Sequence, residues 1–160
     1  MTYIGALIVI IAVLVAWRGY CRYLCEELGD TRAFLRAMED YREKMRCYLR
    51  SPTEWAGQYF DDRLGRCGFL RHLTDGADFI TAYRESRGGC YISDKTDEAL
   101  ESCFSAFGEG DLSSELENID TALSKIRREE KELSDGIGNR KKVAGALLGA
   151  CAVGVVILII

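Results

Sequence analysis

The sequence predicts an all-α protein, an antiparallel helical bundle held between an N-terminal and a C-terminal transmembrane helix. Three observations lead there. The chain ends in eighteen consecutive uncharged, mostly apolar residues, Val143 to Ile160, directly behind Arg140, Lys141 and Lys142. It opens with a second uncharged stretch, Tyr3 to Trp17, that stops at Arg18. Between the two, apolar residues recur at helical spacing, with a single proline and no strand-like alternation bounded by turn residues.

At about 1.5 Å per residue the last stretch spans roughly 27 Å, close to a hydrocarbon core of about 30 Å. The first stretch is shorter and reaches a comparable span if its helix continues to Tyr20 and Arg18 extends its head toward the lipid headgroups. The chain therefore divides into a first transmembrane helix over 1–20, a helical-bundle domain over 21–138, and a basic juxtamembrane segment with a second transmembrane helix over 139–160. A cleavable signal peptide needs a basic segment ahead of its apolar core, and Met1-Thr2-Tyr3 supplies none.

The topology-setting basic residues lie on the inner side of both stretches: Arg18 and Arg22 after the first, Arg140, Lys141 and Lys142 before the second. The positive-inside rule then places the middle of the chain in the cytoplasm and both termini across the membrane. Trp17, Tyr20 and Tyr23 fall where an interfacial aromatic belt belongs. Seven cysteines, an odd number, with Cys151 inside the second stretch and Cys21 and Cys25 flanking the first, form no disulfide framework and fit a reducing compartment. A net charge of −4 argues against a nucleic-acid partner.

The domain reads as a series of helices. The first anchor continues as a stalk to about Leu28, is broken at Gly29, and Asp30 caps a helix over 31–50 whose apolar positions are Phe34, Met38, Tyr41, Met45, Tyr48 and Leu49. Ser51 and Glu54 have capping-box spacing, with Pro52 at the first helical position, and that helix carries Trp55, Tyr59 and Phe60 until Gly65 and Gly68. A short apolar piece, Phe69 to Leu73, comes next. Asp75 caps a helix with Phe79, Ile80 and Tyr83 that ends at Gly88-Gly89. A helix from Asp94 to Phe107 carries Ala99, Leu100, Cys103, Phe104 and Phe107 and stops at Gly108-Glu109-Gly110.

The final helix of the domain, capped by Asp111, has the strongest regularity. Leu112, Leu116, Ile119, Leu123, Ile126, Glu130, Leu133 and Ile137 alternate spacings of four and three, a heptad seam broken once by an acid. The seam either docks along its own domain, the favoured reading, or meets a second chain. Gly136 and Gly138 predict a flexible joint before the membrane. In the last stretch Gly145 and Gly149 form a G-x-x-x-G pair, and Ala146, Ala150 and Gly154 form an adjacent small-residue row, a pattern that lets transmembrane helices approach closely.

Catalytic chemistry finds little support. His72 is the single histidine, which excludes a multi-histidine metal cluster, and no phosphate-binding glycine loop is present. No cofactor is expected. A rival reading is a membrane-tethered thiol enzyme or redox sensor using Cys67, Cys90 or Cys103; another is a generic coiled-coil tether that dimerises through 112–137.

Several segments together carry a family resemblance. They are Ile4-Gly5-Ala6 opening the first anchor, the helix with Glu43 and Tyr48 leading into Ser51-Pro52, and the helix from Leu100 to Phe107 closed by Gly108 and Gly110-Asp111. The tail adds Asn139-Arg140-Lys141-Lys142, Gly145, Gly149 and the ending Leu158-Ile159-Ile160. In these the chain resembles the stage III sporulation protein AB family of endospore-forming bacteria. Met45 and Arg46 depart from that pattern, as does the stretch 66–89. The resemblance implies a cytoplasmic domain similar to those of type II secretion inner-membrane platform proteins. It also implies a place in the mother-cell membrane facing the forespore, within a transenvelope complex, and a scaffold role with no enzymatic activity. The partners it implies are a cytoplasmic secretion-type ATPase and other membrane proteins of the complex; a homo-oligomer is compatible with it.

Overall fold

A computed structural model describes the backbone of residues 2–47, 51–108 and 110–159, and the side chains of these except at 2, 3, 156, 158 and 159. All the regular structure in it is helical. Two very long helices, α1 (Thr2–Arg46) and α7 (Leu112–Ile159), bracket five short ones: α2 (Pro52–Gln58), α3 (Asp62–Cys67), α4 (Phe69–Thr74), α5 (Phe79–Ser86) and α6 (Asp94–Ser105), with a 3₁₀ turn at Arg87–Gly89. The chain forms two compact units, Glu27–Glu132 and the pair of segments Met1–Glu26 and Leu133–Ile160.

The first unit, Glu27–Glu132, is organised by aromatic residues. Phe34 and Tyr41 project from α1, Trp55 from α2, Phe69 from α4, Phe79 and Tyr83 from α5, and Phe104 from α6, and each is buried. Their rings meet edge-on or stacked, with centroids 4.7 Å apart for Tyr41 and Phe79 and 5.4 Å for Phe79 and Phe104. Ala33, Ala37, Leu100, Ile119, Leu123 and Ile126 complete the core. Large rings in such contacts supply most of the area a small domain removes from water, so short helices of six to eight residues persist here by packing rather than by propensity. The gap left inside the core is about 10 Å³, with no room for a ligand.

Caps punctuate the short helices largely where turn chemistry demands. The Ser51 hydroxyl accepts from the Glu54 N–H, and Pro52 opens α2. Asp61 caps α3, Ser93 caps α6, and Asp111 accepts from the Ser114 N–H at the start of α7. Gly68, at φ 91°, lets α3 end and α4 begin within one residue.

Several expected boundaries are corrected. Asp75 does not cap α5; it ends α4, and Asp78 caps α5 by accepting from the Thr81 N–H. Tyr59 terminates α2 and Phe60 lies beyond it. The expected helix to Phe107 ends at Ser105. Gly136 and Gly138 form no joint, because α7 is helical through both. The expected break at Gly29 is absent as well: α1 passes through it and Asp30 sits in mid-helix. Gly29 has a different role, since a Cβ there would overlap the guanidinium of Arg63 and displace it. Tyr48, Leu49 and Glu109 lie outside the described residues.

Within this unit α1 and α7 run antiparallel and are laced by charge. Arg32 Nε donates to Glu130 at 2.6 Å, Arg127 Nη2 to Glu39 at 2.6 Å, and Arg42 Nη2 to Asp120 at 2.7 Å. These pairs are largely exposed and each adds at most about 1 kcal/mol; they fix register more than stability.

Candidate membrane anchor and interaction surface

The unit formed by Met1–Glu26 and Leu133–Ile160 has the reverse character of the aromatic-cored one. Ile4, Leu7, Ile8, Ile11, Leu14 and Val15 on α1 are all more than half exposed. Of the described helices, one is long and apolar enough to cross a membrane: α1 from Ile4, whose most apolar window has a mean hydropathy of 2.1 with none of it buried. A soluble protein does not leave that much apolar helix uncovered, because each 100 Å² exposed costs about 2.5 kcal/mol. On α7, Val143, Leu147, Val153, Val155 and Ile157 are exposed in the same way.

The two helical segments of this unit touch at a small residue. A Cβ on Gly145 would stand 3.1 Å from the indole of Trp17, so Gly145 leaves the space that the ring uses. Further toward the polar end, Lys141 Nζ lies 3.6 Å from Cys25 Sγ. The rest of the small-residue row is not brought against α1 in this way: Gly149 and Gly154 face open space, and Ala146 and Ala150 are exposed. Of the basic residues, Arg18, Arg22, Arg140 and Lys142 are exposed and Lys141 is half-buried. Arg22 lies 3.9 Å from Glu26.

The heptad seam divides between the two units. Ile119, Leu123 and Ile126 are fully enclosed in the aromatic core, with Leu112 and Leu116 packed at its edge. Leu133 is buried in the other unit. Glu130, the acidic break in the pattern, is where Arg32 donates.

The three cysteines singled out for thiol chemistry have distinct environments. Burial alone pushes the Cys103 thiol up to about 12. Cys67 and Cys90 are neighbours that share a hydrogen bond, which lowers Cys67 and, together with burial, raises Cys90 far above the usual thiol range. His72 is engaged elsewhere, with Nδ1 2.9 Å from a Glu85 carboxylate oxygen. Among the described residues, no three His, Cys, Asp or Glu side chains converge as a metal site would require.

Sequence reasoning missed one surface feature. Phe60, between α2 and α3, is 88% exposed. It borders an open groove of about 450 Å³ lined also by Gly29, Arg32, Arg36, Asp61 and Arg63. The sequence put Phe60 on the helix expected to run from Ser51 toward Gly65, just before two aspartates, and exposure cannot be read from that pattern.

These observations define a class: an all-α domain whose chain carries an exposed apolar helix fit for a bilayer, and so a membrane-associated protein. The family model described as Stage III sporulation protein AB matches residues 72–160, more than half of the sequence. The chain belongs to that family and is a sporulation protein. A solved structure described as Stage III sporulation protein AB (SpoIIIAB) is similar in fold, with a TM-score of 0.57 at 15% identity over 71% of this chain and 97% of that one. No curated protein matches the sequence.

Proposed function

We propose that the protein is a non-enzymatic, membrane-anchored platform in a sporulation-specific, secretion-like complex that spans the envelope between mother cell and forespore. Two spans, about 1–20 and 143–160, hold both ends of the central domain at the mother-cell membrane, with that domain in the cytoplasm. The observation that carries the reading is the uncovered apolar surface of α1, joined to family membership. The length and exposed side chains of the C-terminal run support a second span, and the basic residues inside both runs support the orientation.

The platform's partner in this reading is a cytoplasmic secretion-type ATPase. The groove beside Phe60 is its contact, since an exposed aromatic with arginines around it is the residue mixture that dominates binding energy at interfaces. Anchoring both ends of the domain raises the effective concentration of that face at the membrane without any new contact.

Topology is tested by labelling Cys47, an exposed thiol of the central domain, with a membrane-impermeant maleimide in sporulating cells. Protection in intact cells and labelling after permeabilisation are expected; labelling in intact cells would overturn the orientation. The contact is tested by pulling down the ATPase with full-length protein: Phe60→Ala should weaken capture at least tenfold, and unchanged capture would remove that groove from the interface.

A second reading, a thiol sensor, is favoured by the Cys67–Cys90 pair. Site-resolved thiol titration decides it: a single fast-reacting thiol lost in Cys67→Ser, with a sporulation defect in that variant, would support a sensor.

A further inference from the structure

The contact between Trp17 and Gly145 sets a level along the anchor from which other residues can be counted. Arg22 lies five residues beyond Trp17 on α1, and Lys142, Lys141 and Arg140 lie three, four and five residues from Gly145 on α7, in the same direction. At 1.5 Å per residue these four cations fall in one layer, roughly 4 to 8 Å from the indole. The Lys141 contact with Cys25 confirms that direction independently. Arg18 stands one residue from Trp17, at the inner margin of the layer.

Most of this positive charge is not neutralised by the protein. Arg18, Arg140 and Lys142 make no ion pair among the described residues, and Arg22 keeps 82% of its side chain exposed despite Glu26. The nearest acids within this unit are Glu26, nine residues from Trp17, and Asp135, ten from Gly145, both on the far side of the layer from the apolar surface. That apolar surface begins directly on the other side, with Val15 and Leu14 on α1 and Val143 and Leu147 on α7. Tyr20 and Tyr23 are exposed at the same height.

We propose that this layer binds the phosphate of an anionic phospholipid. A headgroup phosphate takes charge-assisted hydrogen bonds from Arg22, Arg140 and Lys142, while its acyl chains run along the apolar helix surface below. A soluble anion or an acidic peptide would use the cations but has no use for the hydrocarbon surface that adjoins them, which is why a lipid is the occupant. The inference rests on the membrane reading above and adds a ligand class to it. Each cation near an anionic lipid surface contributes on the order of a fivefold preference, so removing three predicts at least a tenfold loss.

The experiment uses the full chain in mild detergent, offered phosphatidylglycerol or phosphatidylcholine with identical acyl chains, and counts retained lipid by native mass spectrometry. Phosphatidylglycerol should be retained in preference. The triple variant Arg22→Gln, Arg140→Gln, Lys142→Gln should lose that preference at least tenfold, while a control with Arg66→Gln, Arg71→Gln and Lys131→Gln, exposed positions of the central domain, should keep it. Equal retention of the two lipids, or equal loss in both variants, overturns the site. Displacement of the lipid by inorganic phosphate beyond that caused by chloride at matched ionic strength assigns the layer to a soluble anion and also overturns it. Flotation with pure phosphatidylcholine vesicles tests the membrane reading separately: wild type and variants should all float, and a wild type that stays soluble would sink that reading and not merely the headgroup site.

Discussion

Asp30 and Arg63, thirty-three residues apart, form an ion pair at 3.0 Å, and the second carboxylate oxygen of Asp30 accepts the Tyr91 N–H at 2.9 Å. One buried acid in mid-helix thus holds α3 and the segment that follows the 3₁₀ turn against α1. Leu64 of the one and Cys90 and Ile92 of the other are buried in the core, and Asp30 adds a directional polar contact to each segment.

Asp30→Ala should therefore cost about 2 to 3 kcal/mol, since it removes the carboxylate from a half-buried guanidinium and from the Tyr91 N–H. Asp75→Ala, whose pairing with Arg71 is fully at the surface, should change stability by less than about 0.5 kcal/mol. Urea unfolding of both variants, read by circular dichroism, distinguishes them; equal effects would refute the latch.

Gly29→Ala sets two effects against each other. Alanine gains about 1 kcal/mol of helix propensity, but its methyl group collides with Arg63 and displaces it from Asp30. The collision should win in the wild type, giving net destabilisation. In an Arg63→Ala background the same substitution should stabilise by roughly 0.5 to 1 kcal/mol. A double-mutant cycle with no change of sign would refute the explanation for this glycine.

Alkaline stability follows from buried phenols. Burial first, then the Glu115 charge, carries Tyr41 from 10.0 to about 12; burial, then Asp61 and Asp40, does the same for Tyr59. Tyr83 is pushed higher by burial and its hydrogen bond to Asp97. The unfolded chain ionises these phenols first, so their stabilising contribution is intact below pH 10 and falls as pH rises toward 12. Unfolding free energy measured from pH 9 to 12 should drop across that window, less steeply in Tyr41→Phe. An identical profile in that variant would exclude Tyr41 as a contributor.

Thiol reactivity should rank by environment. Cys103, raised to about 12 by burial, should stay inert to a soluble disulfide reagent at pH 8 while the fold persists. Cys67, lowered by its hydrogen bond with Cys90, should react at least a hundredfold faster, and Cys90→Ala should slow it. Peptide mapping after timed labelling gives both rates, and a Cys67 rate unchanged in Cys90→Ala would show that the pair does not set its reactivity.

The core was legible from spacing. Phe34, Met38, Tyr41, Phe79, Tyr83, Leu100, Phe104, Ile119, Leu123 and Ile126 stand at helical intervals, and burying one face of each helix left little choice about where they point. Two caps were legible too, because Ser51 and Asp111 satisfy donors only a few residues away; those at Asp61, Asp78 and Ser93 were not read from the sequence. The roles of Gly29 and Asp30 were not. Read locally, a glycine and an aspartate after a stalk spell a helix break with a cap, and the residues that reverse that meaning lie at 63 and 91. Phe60 was hidden as well, since a phenylalanine expected on one helix with Trp55 and Tyr59 reads as part of the core.

The sequence alone determined that the protein is helical, which residues fill its interior, and that its first helix is too apolar for water, because hydrophobic spacing and run length act over one or two turns of chain. Tertiary structure decided which glycine receives the Trp17 ring, how the Ile119 to Ile126 stretch is spent, and what Asp30 and Gly29 are for. Those are matters of contact between residues far apart in the chain, where a buried charge or a missing methyl group takes its energy from whatever the fold places beside it.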